Sequence, residues 1–175
     1  MNERPNIITE RVDDMPLWLE QRQRMGLPTL FDDHCPIHGN WQGLSVGWVS
    51  TIGLSAILSR GDHRLVHVEP WVAKRLGTVG ATTGQAVKRV DCPDDRLEIV
   101  RRRLRDDTRW GACASALHQH TGRVDDLSTA RVHVDSTSAR AYATGTAGGL
   151  CPFGHSKDDR PDLPHVKVMQ AVLDP

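Results

Sequence analysis

The chain has no CxxC pair, no apolar leader, no excess of either charge and no internal repeat, and each absence removes a class of protein. Its four cysteines, Cys35, Cys92, Cys113 and Cys151, form no zinc-style pair and follow no secretory signal, so reduced thiols in a cytoplasmic protein are expected. The opening MNERPNIITE is too polar to direct export. Lys plus Arg and Asp plus Glu number 22 each. Bulk charge therefore gives no argument for a polyanion partner and leaves only local basic surfaces to consider. Without repeats or low-complexity tracts, the chain is neither a solenoid nor a disordered tail.

Residues 41–59 carry no charge and are the nearest approach to a membrane span. Gly43, Gly47, Gly53, Gln42 and several Ser and Thr residues dilute the stretch, whereas a span needs about 20 predominantly apolar residues. Leu44, Trp48, Ile52 and Ser55 to Ala56 recur at helical spacing, with Val49 and Leu58 widening the stripe. A buried core helix, with no membrane partner, is the expectation.

At 175 residues the chain has room for one ordinary domain or a smaller one with a partial second. The first 125 residues read as mostly helical. Asp14 caps a helix with Pro16 in its first turn and Gly26 past its end, turning Leu17, Trp18 and Met25 inward. A turn follows at Leu27-Pro28. Asp62 caps a helix running through Leu76, interrupted or kinked by Pro70, and Gly77, Gly80 and Gly84 make a flexible connector. Asp94 caps a helix lined by Leu97, Val100 and Leu104, and Asp106 or Asp107 caps the next, with Trp110, Ala114 and Leu117.

From Arg131 the period becomes two. Val132 and Val134 fall on one face, and Arg131, His133 and Asp135 on the other. A second short strand is expected over 139–144 and a third over 165–173, where Val166, Val168 and Val172 alternate, giving an antiparallel meander.

Three groups of side chains could carry chemistry. Arg101, Arg102, Arg103 and Arg105, with Arg96 and Arg109 nearby, place a basic stripe on one helix, and phosphate contacts from it would make DNA binding salt-sensitive. The competing reading is a solvated face neutralised by Asp94, Asp95, Glu98, Asp106 and Asp107. Lys157 and Arg160 sit in a polar loop where they could grip phosphate, unless Asp158, Asp159 and Asp162 pair with them. His34, Cys35 and His38, and Cys151 with His155, lack the paired spacing of a structural zinc site. Nothing marks an activated thiol.

The run His133-Val-Asp135-Ser-Thr137-Ser138, with Tyr142 beyond it, is followed by Gly154-His-Ser-Lys157-Asp-Asp-Arg160-Pro161-Asp162. Together they resemble the start of the catalytic domain of bacterial insertion-sequence transposases of the DDE class. Upstream, Leu27-Pro28, the stretch from His38 to Ser45, the stretch from Gly61 to Trp71, Asp94-Asp95-Arg96-Leu97 and Leu117-His118-Gln119-His120-Thr121 are similar to the helical region that precedes that domain. The loop departs from the usual Gly-Tyr-Ser-Lys-Asp-His-Arg-Pro-Asp at His155 and Asp159.

The resemblance implies an α+β chain: a helical N-terminal domain over 1–125, then the first strands of a ribonuclease-H-like domain over 126–175. It implies Asp135 as the first catalytic, metal-bridging carboxylate for Mg²⁺ or Mn²⁺, and DNA at transposon ends as the partner. Lys157, Arg160, Arg101, Arg102 and Arg105 are the candidate DNA contacts. Family members continue into elements that supply a second Asp and a Glu. The chain is therefore expected to be a truncated, catalytically inactive portion that does not functionally hold the metal. The alternative is a non-catalytic DNA-binding or dimerising module that inhibits full-length transposase through homo-oligomers or mixed oligomers.

Overall fold

A computed structural model describes residues 9–37, 39–127, 131–140, 151–155, 157 and 159–173. Among them run α1 (Met15–Arg24), α2 (Leu27–His34), α3 (Val46–Arg60), α4 (Val68–Val72), α5 (Leu76–Thr83), α6 (Asp94–Leu104) and α7 (Asp107–Val124), then β1 (Val132–Arg140) and β2 (His165–Leu173). The chain is α+β and mostly helical. It divides into two compact units, Met1–Val124 and Asp125–Pro175. No helix among the described residues is long and apolar enough to cross a membrane.

The uncharged stretch forms α3, the centre of the helical unit. Ser45 caps it by accepting the Trp48 N–H at 3.3 Å, and Gly61 ends it in the left-handed conformation at φ 62°. Val46, Val49, Ile52 and Ala56 are buried, and so are Ser50, Thr51 and Ser55. Two of those hydroxyls are satisfied within the helix: Ser50 donates to the Val46 carbonyl at 2.7 Å and Ser55 to that of Thr51 at 2.8 Å. A polar side chain can therefore sit in this core without a tertiary partner.

Two glycines let neighbours press against α3. A Cβ on Gly47 would lie 1.8 Å from the Pro28 carbonyl oxygen, and one on Gly53 would lie 2.5 Å from a Leu97 methyl. The Gly47 N–H also donates to Asp32 on α2 at 2.7 Å, tying the two helices by a charged hydrogen bond. Around this axis one cluster gathers Met15 and Leu19 of α1, Trp71 and Val72 of α4, Val79 of α5 and Leu97 of α6. A second joins Leu27, Leu30 and Phe31 of α2 to Val100 of α6 and Cys113 of α7.

Several local expectations are overturned. Leu27-Pro28 opens α2 instead of making a turn, because proline fits the first helical turn, where its missing N–H has no partner to lose. Gly26, at φ 68°, serves as the break between α1 and α2. The helix expected over 62–76 is a 3₁₀ turn at Leu65–His67 followed by the short α4. The expected connector at Gly77 to Gly84 is α5, with Gly84 as its left-handed C-terminal stop. Leu17 is 70 % exposed, as α1 buries Met15, Leu19 and Arg22 instead. Leu58 and Trp110 are likewise exposed.

In the second unit β1 pairs directly with β2, antiparallel, with Asp135 opposite Gln170 and Val134 opposite Ala171. Among the described residues the sheet has two strands, and β1 meets β2 directly. Of the expected intervening strand, Ala139 and Arg140 belong to β1, and 141–144 lie outside the described residues. The alternation is present, yet it buries neither face: Val132, Val134 and Met169 are exposed on one side and Val168 and Val172 on the other.

The glycine contacts make a prediction. Gly47→Ala must push α2 off α3 against backbone and should cost about 3 kcal/mol of stability, at the upper end of overpacking effects. Gly53→Ala meets only the end of the flexible Leu97 side chain and should cost about 1 kcal/mol or less. Urea denaturation compares the two, and a Gly47→Ala chain as stable as the wild type would refute the close approach.

Candidate functional site

Asp135 lies at the middle of β1, on the face shared with His133, Thr137, Val168 and Val172. Its side chain is 88 % exposed. The polar loop folds back to it: the Lys157 ammonium stands 3.5 Å from an Asp135 carboxylate oxygen and donates to the Ser136 carbonyl. The same carboxylate oxygen accepts the Ser136 N–H at 2.8 Å. Two residues 22 positions apart are thereby joined.

The loop is held by a residue that the sequence marked only as a strand start. His165 is buried, its N–H donates to the Pro152 carbonyl at 3.1 Å, and its Nε2 donates to the His155 carbonyl at 3.0 Å. These bonds fix both sides of Gly154 against the beginning of β2. A histidine following Leu163-Pro164 at a strand edge carries no local signal of this role. Asp159 occupies the left-handed region at φ 52°, which Asp tolerates better than most residues. Arg160 grips Asp162 with two hydrogen bonds, at 2.7 and 2.6 Å. The two loop cations therefore differ. Arg160 holds an acid of its own turn, whereas Lys157 reaches the strand carboxylate.

Among the described residues no divalent-cation site is assembled around Asp135. Mg²⁺ takes six oxygens and binds through one or two carboxylates plus phosphate and water. Asp135 is a single carboxylate with an ammonium as its neighbour, and no group of three His, Cys, Asp or Glu among the described residues could hold a metal. Of the thiols weighed as ligands, Cys35 is buried in the second core cluster with Cys113, and its thiol is pushed up by burial. His38 lies outside the described residues.

The arginine stripe follows α6. Arg101 bonds Glu98 at 2.6 and 3.0 Å and Arg102 bonds it at 3.1 Å, which pushes the Glu98 carboxyl down to about 2, chiefly through Arg101. These are exposed pairs of the exchangeable kind. Arg105 is exposed at the end of the helix. On the other side of α6, Arg96 donates to the Gln42 carbonyl at 2.6 Å and covers the Trp41 ring at 4.6 Å. Gly43, at φ 83°, leaves room for Asp91. Two separate sequence motifs, Trp41-Gln42-Gly43-Leu44 and Asp95-Arg96-Leu97, thus meet in one loop clamp.

A second motif closes on itself. Asp62 accepts the Arg64 guanidinium at 2.9 Å through each of two nitrogens, the Arg64 N–H at 3.1 Å and His67 Nδ1 at 2.7 Å. It caps no helix: its hydrogen bonds are made within the 62–67 loop. The Arg64 side chain first, then His67, holds its carboxyl far below the usual carboxylate range.

No family model, curated protein or solved structure matches the chain.

Asp62 and Glu98 both ionise more readily in the folded chain than in the unfolded one. The unfolded chain therefore takes up more protons once the pH drops below the ordinary carboxylate value near 4, and the stability these groups contribute drains away as pH falls further. Asp62→Asn should lower the urea midpoint at pH 7, and the gap to wild type should narrow steadily below about pH 4. A gap that stays constant from neutral to acid pH would show that the Asp62 loop contributes nothing through its charge.

Proposed function

We propose that the chain derives from the DDE-class DNA transposases, with a helical DNA-binding unit and a hairpin of a ribonuclease-H-like sheet. The observation that carries this reading is the pairing of Asp135 with Lys157. The two motifs on which the family resemblance rests are brought together by the hairpin and its pinned loop, although 22 residues separate them. In such a sheet the resemblance puts a first catalytic acid on the first strand, and Asp135 stands there with Lys157 beside it. The reading goes with a cytoplasmic location and with DNA ends as the partner.

Asp135 alone supplies too few oxygens for two-metal chemistry. The activity assigned to this chain is accordingly DNA binding without cleavage and without a functionally held Mg²⁺ or Mn²⁺. The arginine stripe of α6 is the first candidate surface, since Glu98 can release Arg101 and Arg102 to phosphate at little cost. A non-catalytic module of this kind could also inhibit a full-length transposase by occupying its ends or by mixed oligomers.

Purified chain incubated with duplex DNA at low salt should bind, and binding should weaken as salt rises. With supercoiled plasmid and Mg²⁺ or Mn²⁺, it should give no nicking that differs between wild type and Asp135→Asn. Absence of binding at low salt would remove the DNA reading, and Asp135-dependent nicking would overturn the assignment as non-catalytic.

A further inference from the structure

Within the helical unit, a cleft of about 650 Å³ opens between residues 9–11 and the junction of α4 and α5. Arg11, Arg60, Lys74 and Arg75 line it, against a single carboxylate, Glu10. Its position follows from how the chain is capped. Glu10 accepts the N–H groups of Gly77 and Thr78 at 2.8 and 2.7 Å and the Thr78 hydroxyl at 2.8 Å, which draws the N-terminal segment across the start of α5. The charge of Glu10 is thereby absorbed by the helix.

The cations are held to different degrees. Arg75 is only 7 % exposed: it lies 4.4 Å over the Trp71 ring, donates to the Trp71 carbonyl at 3.2 Å and to Asp13 at 2.7 Å, and its Nε is buried without an acceptor. It forms a rigid charged wall. Arg11 shares the same Asp13 at 2.6 Å. Arg60 stands 3.5 Å from Asp62, a carboxylate already taken by Arg64 and His67. Lys74 is exposed and has no carboxylate partner among the described residues. The cleft thus holds more positive charge than its acids consume, on side chains of which three, Arg11, Arg60 and Lys74, are exposed and one, Arg75, is fixed in place.

Such a setting suits an oxyanion with several acceptor oxygens, which Arg can take bidentately and Lys as a point charge. We propose that this cleft binds a phosphate of the DNA backbone, with Lys74 and Arg11 closing on it over Arg75. The inference rests on the DNA-binding reading for its ligand, and on the cleft alone for its chemistry. Free phosphate compounds share that chemistry.

Anisotropy titrations of a labelled duplex across a range of salt test it, using Lys74→Ala, the Arg11→Ala/Lys74→Ala pair, and Arg123→Ala as a charge-matched change on the exposed end of α7. Circular dichroism first establishes that each variant melts as the wild type does. Lys74→Ala should weaken binding about threefold and the pair about tenfold, with the salt slope shallower by about two for the pair, while Arg123→Ala changes neither. A double variant that binds like the wild type, or an Arg123→Ala loss of equal size, would overturn the cleft while leaving DNA binding intact. If the wild type binds no duplex, the DNA reading fails separately and inorganic pyrophosphate decides the cleft. A rise in Tm that Lys74→Ala abolishes would support an oxyanion site, and no rise would overturn it.

Discussion

The contact of α2 with α3 at Gly47 sets the geometry of the helical unit. A carbonyl oxygen of α2 occupies the space where any other residue would carry a side chain. With α2 seated there, Asp32 reaches the Gly47 N–H, and the opposite side of α3 is left to α6 through Gly53 and Leu97. What the unit presents outward follows from those two seats. The position of α6 brings Arg96 onto Trp41 and faces the arginine stripe outward. The end of α3 delivers Arg60 to the cleft. Small residues inside a buried helix thus determine where surface charge can gather.

Much of this frame was legible in the sequence, and the parts that were not share a cause. The period of two from Val132 and again from His165 identified both paired strands, since side chains alternate along a strand whether or not a face is buried. The uncharged stretch identified α3, and the spacing of Leu97 and Val100 identified α6, although Asp94 is its first residue and Pro93, not Asp94, stands at its cap. The short helices α4 and α5 were misread because their supports are distant: Glu10 caps α5 from 67 residues away, and Arg75 is held by Asp13. A glycine-containing segment with no local cap looks like a connector until the capping carboxylate is in view. Leu27-Pro28 erred differently, as the same residues that make turns also begin helices.

The candidate sites divide along the same line. Asp135 and Lys157 were singled out by their motifs, and the structure adds that they touch, with His165 as the residue that makes this possible. The cleft was invisible beforehand because Arg11, Arg60 and Lys74 are unremarkable singly, and only the fold brings them to one place. The two units also differ in how their surfaces are finished. The helical unit encloses two apolar clusters, whereas the hairpin exposes valines on both faces, an arrangement that seldom holds by itself in water. The arginines of α6 and the cations of the cleft belong to the first unit, whereas Asp135 and Lys157 belong to the second, so the proposal assigns DNA contact mainly to the first.

That division of roles is the central claim, and hydrogen exchange of the intact chain with and without duplex DNA tests it most directly. In both states the amides of α3 should exchange most slowly. Added DNA should increase protection over residues 60–76 and over α6, with little change in β1 and β2. Protection gained only in the hairpin and its loop would contradict the account.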